Sequence, residues 1–443
     1  MGLPPETTPS DEAGRLWHAS TGQVAVAQAR EQGLRTMAVE ERKLAVGSLA
    51  IGMYVCRLDR PWEGTPFPLQ GVRIDGQADI DALRRWSTHV WIDVEKSAEA
   101  QRRPLLLRLG YGVGRGSDAP APAPVRWETT TTLEEELPKA RGAWDRAREL
   151  ATRFIEDLHA GRPLAADELA AVVEPVVASI IRNPDAYFWL DALRRRDPYV
   201  YSHAINSAAL VTTFGRHLGF PREILVELAS GGMLMDLGFA DVPPDVLAKP
   251  GPLDDAEREM VRGHVARSLE QMERAGVRGL DVREMVAGHH ERHNGSGYPN
   301  GEVGLGIPLT ARMLGIADTF DALCNDRPWR GALSRHDALQ ALYRERDRLF
   351  QSELIEQFSQ CLGVYPTGSL VELTNGTVAV VTMQNSARRL FPRVTVLTDA
   401  DKRVDPAFRQ VDLWGESEGG RRLSILRALP PGAHGLDLAE LFL

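Results

Sequence analysis

AINSAALVTTFGRHLGF, residues 204–220, decides the fold, because its apolar residues recur at spacings of three and four. That period lays them along one face of an α-helix, whereas a half-buried strand would alternate with a period of two. The same spacing runs through LAAVVEPVVASII at 169–181 and dominates residues 133–363, so this region reads as a helical bundle. Within it, Asp254 followed three residues later by Glu257 predicts a capping box for DAEREMVRGHVARSLEQMERAG, residues 255–276, a helix that Gly276 can close.

The pattern changes on either side of the bundle. Residues 1–40 are polar, include PPETTPSDE, and are expected to form a mobile tail. LAVGSLAIGMYVCRLDRPWEGTPFPLQGVRI, residues 44–74, mixes short apolar runs with Gly and Pro, as strands and turns do, and DIDALRRWSTHVWIDV at 79–94 reads as a helix feeding a strand. Residues 41–97 are therefore expected to be a small α+β domain. Residues 98–132 contain GRGSDAPAPAPVRWETTTT and read as a linker. Residues 364–443 hold SLVELTNGTVAVVTMQ, a hairpin pattern around Asn375-Gly376, and PRVTVLTD, a third strand, so they are expected to be a β-hairpin appendage with a C-terminal tail.

Composition narrows the function classes. A chain of 443 residues with 43% hydrophobic content can build several cores. Its formal net charge of -9 argues against a broad surface for polymeric nucleic acid, which needs an excess of Lys and Arg. Cys56, Cys324 and Cys361 are odd in number and lack CxxC spacing, so neither a disulfide framework nor a thiolate zinc site is expected. No stretch reads as a secretory signal or as about 18 uncharged apolar residues. The expectation is a cytoplasmic protein without membrane insertion.

Chemistry-bearing side chains concentrate in the bundle: His203, Asp236, His264, the adjacent pair His289 and His290, and Asp318. His264 shares its predicted helix face with Met260 and Ser268, and Asp318 lies in the apolar run LGIADTFDAL. A buried imidazole or carboxylate is unfavourable unless paired or bound to a metal, so several on inward faces suggest a shared partner. Taken singly, each could be a hydrogen-bonded core or capping residue. GGMLMDLGFADVP, residues 231–243, sets Asp236 among glycines and apolar residues, with Met235 and Phe239 beside it.

In order and spacing, NPDAYFWLDALRRRDPYVYSHAINSA, VPPDVLAKPGPLDDAEREMVRGH, HHERHNGSGYPNG and IPLTARMLGIADTFDALCNDRPWR resemble the HD-GYP family of metal-dependent cyclic di-GMP phosphodiesterases. GMYVCRLDRPWEGTPFPLQG resembles the small domain often found ahead of HD-GYP domains. The resemblance implies a mainly α fold: an HD-type helical bundle with a small α+β N-terminal domain and a small β C-terminal appendage. It implies that metal ligands fall on His203, Asp236, His264, His289, His290 and Asp318, with Asp236 the bridging and catalytic carboxylate. A further ligand histidine is replaced by Met235, and the lysine three residues after the aspartate by Phe239. Tyr199 stands where some members carry a glutamate for a third metal. Tyr298, Arg327 and Arg330 match residues that hold substrate.

The implied cofactor is one or two divalent ions, iron or manganese, since imidazoles and carboxylates without thiolate suit them. The implied partners are cyclic di-GMP and signalling proteins that meet the GYP loop or the N-terminal domain. A thioether replaces imidazole poorly, and phenylalanine carries no charge. Three readings follow: a degenerate HD-GYP protein that binds metal with weak or no hydrolysis, a working phosphodiesterase, and a protein-interaction scaffold without nucleotide.

Overall fold

Residues 41–62, 65, 67, 71–74, 76–93, 97, 105–111, 124–160, 162, 166–193, 199–277, 279–327, 330–385, 390–415, 417–418 and 421–442 are described in the computed structural model. The expected tail over residues 1–40 and most of the expected linker lie outside the described residues. The N-terminal strands β1 (Glu41–Ala45), β2 (Tyr54–Leu58), β3 (Val72–Arg73) and β4 (His89–Asp93) form an antiparallel sheet in the order β1-β4-β2-β3. Helix α1 (Gln77–Trp86) turns Ile80 and Leu83 onto it, and with Val55, Val90 and Ile92 they make a separate small core.

A short helix, α2 (Leu105–Arg108), precedes the bundle. Its end is held by buried Arg312, whose Nη2 donates to the Leu109 carbonyl at 2.8 Å. The bundle begins with α3 (Leu133–His159), where Thr132 caps the first turn by accepting from Glu135 N. It continues through α4 (Ala166–Arg182), α5 (Pro184–Leu193), α6 (Tyr199–Leu218) and α7 (Arg222–Leu234). Then come α8 (Pro244–Leu247), α9 (Asp255–Arg262), α10 (His264–Arg274), α11 (Leu280–Gly288), α12 (Leu309–Cys324), α13 (Arg335–Arg344) and α14 (Ser352–Leu362). The stretch 204–220 supplies the inward face of α6, where Ile205, Ala208, Ala209, Val211 and Phe214 join the central core.

The expected long helix over 255–276 is two helices. Its capping box is present, with Asp254 accepting from Glu257 N, and Gly276 closes it at a positive φ of 71°. The chain breaks at Gly263, and Met260 and His264 therefore part company. Met260 is 40% exposed while His264 is fully buried, which corrects the expectation that they share a face.

The C-terminal strands β5 (Leu370–Leu373), β6 (Val378–Met383), β7 (Arg393–Val396), β8 (Gln410–Asp412) and β11 (Ile425–Ala428) form one antiparallel sheet, ordered β11-β5-β6-β7-β8. A small hairpin, β9 (Ser417–Glu418) with β10 (Arg421–Arg422), precedes β11, and α15 (Leu438–Phe442) follows it. The expected turn at Asn375-Gly376 joins β5 to β6, with Gly376 at φ 84°. One sheet face, through Leu370, Val378 and Val380, enters the helical core, and the other, through Val371, Val381 and Val394, closes a core of its own. The fold is mainly α, a helical bundle with a small antiparallel sheet before it and another after it in the chain. No helix among the described residues is long and apolar enough to cross a membrane.

Candidate metal centre

Close helix crossings bring the six candidate ligands together. Where α7 meets α6, a Cβ added at Gly232 would lie 2.5 Å from Ala208 Cα, so only glycine permits the approach. That crossing sets Asp236, just past the end of α7, against His203 of α6, with Nε2 and Oδ2 3.3 Å apart. Helix α12 adds Asp318, whose Oδ1 is 3.0 Å from the same His203 Nε2. Gly315, one turn earlier on α12, lets the helix pass the end of α11, since a Cβ there would meet the His289 carbonyl oxygen at 2.4 Å.

The other half of the cluster is built from three imidazoles. His264 opens α10 and its Nδ1 donates to the Val261 carbonyl at 2.8 Å; His289 Nδ1 does the same to Val286 at 2.7 Å. A carbonyl only accepts, so both Nδ1 atoms carry a proton, and Nε2 is the atom each ring has left to offer a metal. These two Nε2 atoms face one another at 3.4 Å and lie 3.4 and 3.8 Å from Asp236 Oδ1. One ligand atom from each of Asp236, His264, His289 and His290 falls within 4.8 Å of the others.

Burial keeps two of these imidazoles, His264 and His290, neutral beside the aspartate. Burial, outweighing the attraction of Asp236, pushes His264 down to about 4. Burial and the neighbouring imidazoles push His290 well below its ordinary value. Burial alone would push Asp236 up, but the hydrogen bond with His203 and the surrounding imidazoles hold its carboxyl below the usual carboxylate range. Lone pairs converging around an ionised carboxylate repel unless a cation sits among them. Asp318 Oδ2, buried and without a hydrogen-bond donor among the described residues, needs the same remedy. The residues present fit a divalent metal ion.

Met235 is fully buried within the continuous apolar core, and its carbonyl accepts from Ser268 Oγ at 2.8 Å. The Phe239 ring lies on His264, and the Tyr298 ring stacks on His290 with centroids 4.7 Å apart. The loop carrying Tyr298 is fixed by buried Glu291, whose carboxylate accepts from Asn300 N at 2.7 Å and Glu302 N at 3.0 Å. Arg330 closes the end of α12, donating to the carbonyls of Ala322, Leu323 and Gly331 at 2.8, 3.1 and 2.7 Å. Arg327 pairs with Arg330 through the backbone. Tyr199 opens α6, and its side chain lies outside the described residues.

Sequence reasoning passed over Glu291 and Asp321. Asp321 is one helical turn beyond Asp318 and its Oδ2 is 2.7 Å from His203 Nδ1. The spacing Asp-x-x-Asp in an otherwise apolar helix was the available signal.

Residues 188–354 match the model of the HD domain, and residues 41–169 match a domain of unknown function (DUF3391). The chain is 31% identical over 381 residues to a cyclic di-GMP phosphodiesterase of Pseudomonas aeruginosa, covering 84% of this chain and 89% of that protein. It is 36% identical over 160 residues to a cyclic di-GMP phosphodiesterase response regulator of Xanthomonas campestris pv. campestris, covering 34% of this chain and 42% of the relative. It is 31% identical over 150 residues to a 3'3'-cGAMP-specific phosphodiesterase of Vibrio cholerae, covering 34% of this chain and 35% of the relative.

Proposed function

The chain belongs to the HD-GYP family, and from that premise we propose that it is a metal-binding protein of cyclic di-GMP signalling whose phosphodiesterase activity is impaired by Met235 and Phe239. The observation that carries the metal reading is the pair of imidazole Nε2 atoms facing each other at 3.4 Å beside Asp236. An ion held there supplies Lewis acidity toward a phosphodiester. Iron or manganese suits the set of imidazoles and carboxylates.

Asp236 is suited to bridge two ions, because Oδ2 faces His203 while Oδ1 faces His264 and His289. His203 and Asp318 would complete one half, with the imidazole that the family supplies at position 235 replaced by a thioether in the core. The half made by Asp236, His264, His289 and His290 keeps all its ligands, and any retained metal belongs there. Tyr298 would meet the substrate's base at the wall formed with His290, while Phe239 offers no cation to the scissile phosphate. Arg330 can serve substrate only through whatever part of its guanidinium the end of α12 leaves available.

A second reading, a working phosphodiesterase, is favoured by the proximity of His203, Asp236 and Asp318 despite the change at position 235. The 3'3'-cGAMP-specific relative widens the substrate class to cyclic dinucleotides. Metal analysis of anaerobically purified protein, paired with turnover of cyclic di-GMP and 3'3'-cGAMP, separates the readings. Metal with slow turnover supports the first, metal with fast turnover the second. Protein without metal or nucleotide binding is a scaffold and overturns both.

A further inference from the structure

His203 differs from the other buried imidazoles in what holds it. His264 and His289 donate their Nδ1 protons to neutral backbone carbonyls, whereas His203 Nδ1 meets the Oδ2 of Asp321 at 2.7 Å. Asp321 is 4% exposed, so this carboxylate lies away from water. It is itself held from both sides. Asn206 Nδ2, one turn after His203 on α6, donates to Oδ1 at 3.2 Å, and Asn325 Nδ2 donates to Oδ2 at 3.0 Å. Two elements thus fix the carboxylate, and the carboxylate fixes the ring.

We infer that Asp321 is a positioning residue: it holds the Nδ1 proton of His203 so that Nε2 presents a lone pair to a cation shared with Asp236 and Asp318. A carboxylate behind an imidazole sets the ring's tautomer and raises its basicity as a ligand more than a carbonyl does. The effect falls on the half of the centre where Met235 replaces an imidazole, so His203 is there without a second ring. This rests on the metal-centre reading above. A purely structural role, in which Asp321 only joins α6 to α12, makes a different prediction, because removing its charge would then lower thermal stability and leave metal affinity as it is.

The test uses the full chain, stripped of metal, and two variants. Asp321→Asn keeps the shape and an acceptor for Nδ1 but removes the charge. Asn206 Oδ1 has no partner among the described residues, so its amide can rotate to accept from the new carboxamide. Asp321→Ala removes the acceptor altogether. Titration with Mn2+, read from the electron paramagnetic resonance of the free ion, should show a second, weaker ion besides the one held by Asp236, His264, His289 and His290, and this weaker affinity should fall about 10- to 100-fold in Asp321→Asn, with thermal unfolding unchanged. Nitrogen NMR of the metal-free chain should show His203 protonated at Nδ1 in the wild type and shifted toward the Nε2–H tautomer in Asp321→Ala. If Asp321→Ala does not fold, Asp321→Asn carries the test alone.

Wild-type Mn2+ affinity in both folded variants overturns the inference, as does a wild-type His203 without a proton on Nδ1. If the wild type binds no Mn2+, the metal-centre reading fails. The tautomer then still decides what Asp321 does to His203.

Discussion

Phe239 lies face to face on His264, with ring centroids 4.1 Å apart and planes 13° from parallel. An apolar ring therefore covers an imidazole that burial already keeps neutral. On the reading proposed above, Phe239→Lys would restore a missing cation there, and Met235→His an imidazole next to Asp236. The two changes act on one centre, so they should combine more than additively. The double variant, folded and metal-loaded, is expected to hydrolyse cyclic di-GMP at least about a hundredfold faster than the wild type. Met235 is fully buried in the core, so an imidazole that failed to reach a metal would cost about 1–3 kcal/mol of stability, visible in thermal unfolding. A wild type that turns over as fast as the double variant refutes the reading of both positions as disabling.

Removing either of the adjacent histidines should empty the metal site. His289 and His290 are both buried, and each contributes one of the four ligand atoms that lie within 4.8 Å. In His289→Ala and in His290→Ala the bound metal is expected to fall to background while helical circular dichroism is kept. Metal analysis after anaerobic purification reads this directly, and full metal content in both variants means that the ion sits elsewhere.

The helical period, the Asp254–Glu257 cap and the Asn375-Gly376 turn were legible because each depends on residues close in sequence. The six candidate ligands were legible through a family pattern, and the structure brings all six to one place. Three features were not. The break at Gly263 follows from the packing that buries His264 at the start of α10, which local periodicity does not contain. Arg330 reads as a phosphate ligand in sequence, yet its guanidinium is occupied by carbonyls that only the folded end of α12 creates. Asp321 acquires its meaning from His203, a residue 118 positions away.

The junction of α3 with α4 depends on an ion pair that should be costly to break. Glu136 is fully buried and accepts two bonds from Arg182, Nε to Oε2 at 2.8 Å and Nη2 to Oε1 at 2.7 Å. Although burial acts to raise it, the Arg182 guanidinium holds its carboxyl below the usual range. Glu136→Ala leaves Arg182 without its partner and is expected to lose about 2–4 kcal/mol, the lower end reflecting the water that reaches Arg182. Urea unfolding of the single variants and of a double replacement by apolar residues should show the double variant losing less than Glu136→Ala.

Asp185 gives the fold a pH dependence of the opposite sign to that of a paired carboxylate. Enclosure by surrounding chain pushes it up from 3.8 to about 6, against the Thr367 hydroxyl and the Gln384 N–H that donate to it. Between those two values the folded protein holds a proton that the unfolded chain has released. Its contribution to stability is therefore complete below 3.8 and is lost as the pH rises through about 6. Asp185→Asn keeps an acceptor and removes the titration. The variant should gain stability relative to the wild type at pH 7, and the gain should vanish at pH 4. An equal difference at both values excludes Asp185 as the source.

Gly232 ties the fold to the centre through steric fit alone. In Gly232→Ala the new Cβ would meet Ala208 at 2.5 Å from Cα and 2.6 Å from N, and backbone cannot swing aside as a long side chain can. Helices α6 and α7 must separate, and the strain is expected to cost about 1–3 kcal/mol. His203 lies on α6 and Asp236 follows α7, so the same separation pulls apart the 3.3 Å contact on which one half of the centre depends. Gly142→Ala in α3 is the control. A Cβ there has only an ordinary contact, 3.6 Å from Arg146 Nη1, so alanine should stabilise that helix by about 0.5–1 kcal/mol. Metal affinity should weaken in the first variant and hold in the second. If Gly232→Ala loses stability yet binds metal as tightly as the wild type, the crossing matters for packing and the ligand geometry is set elsewhere.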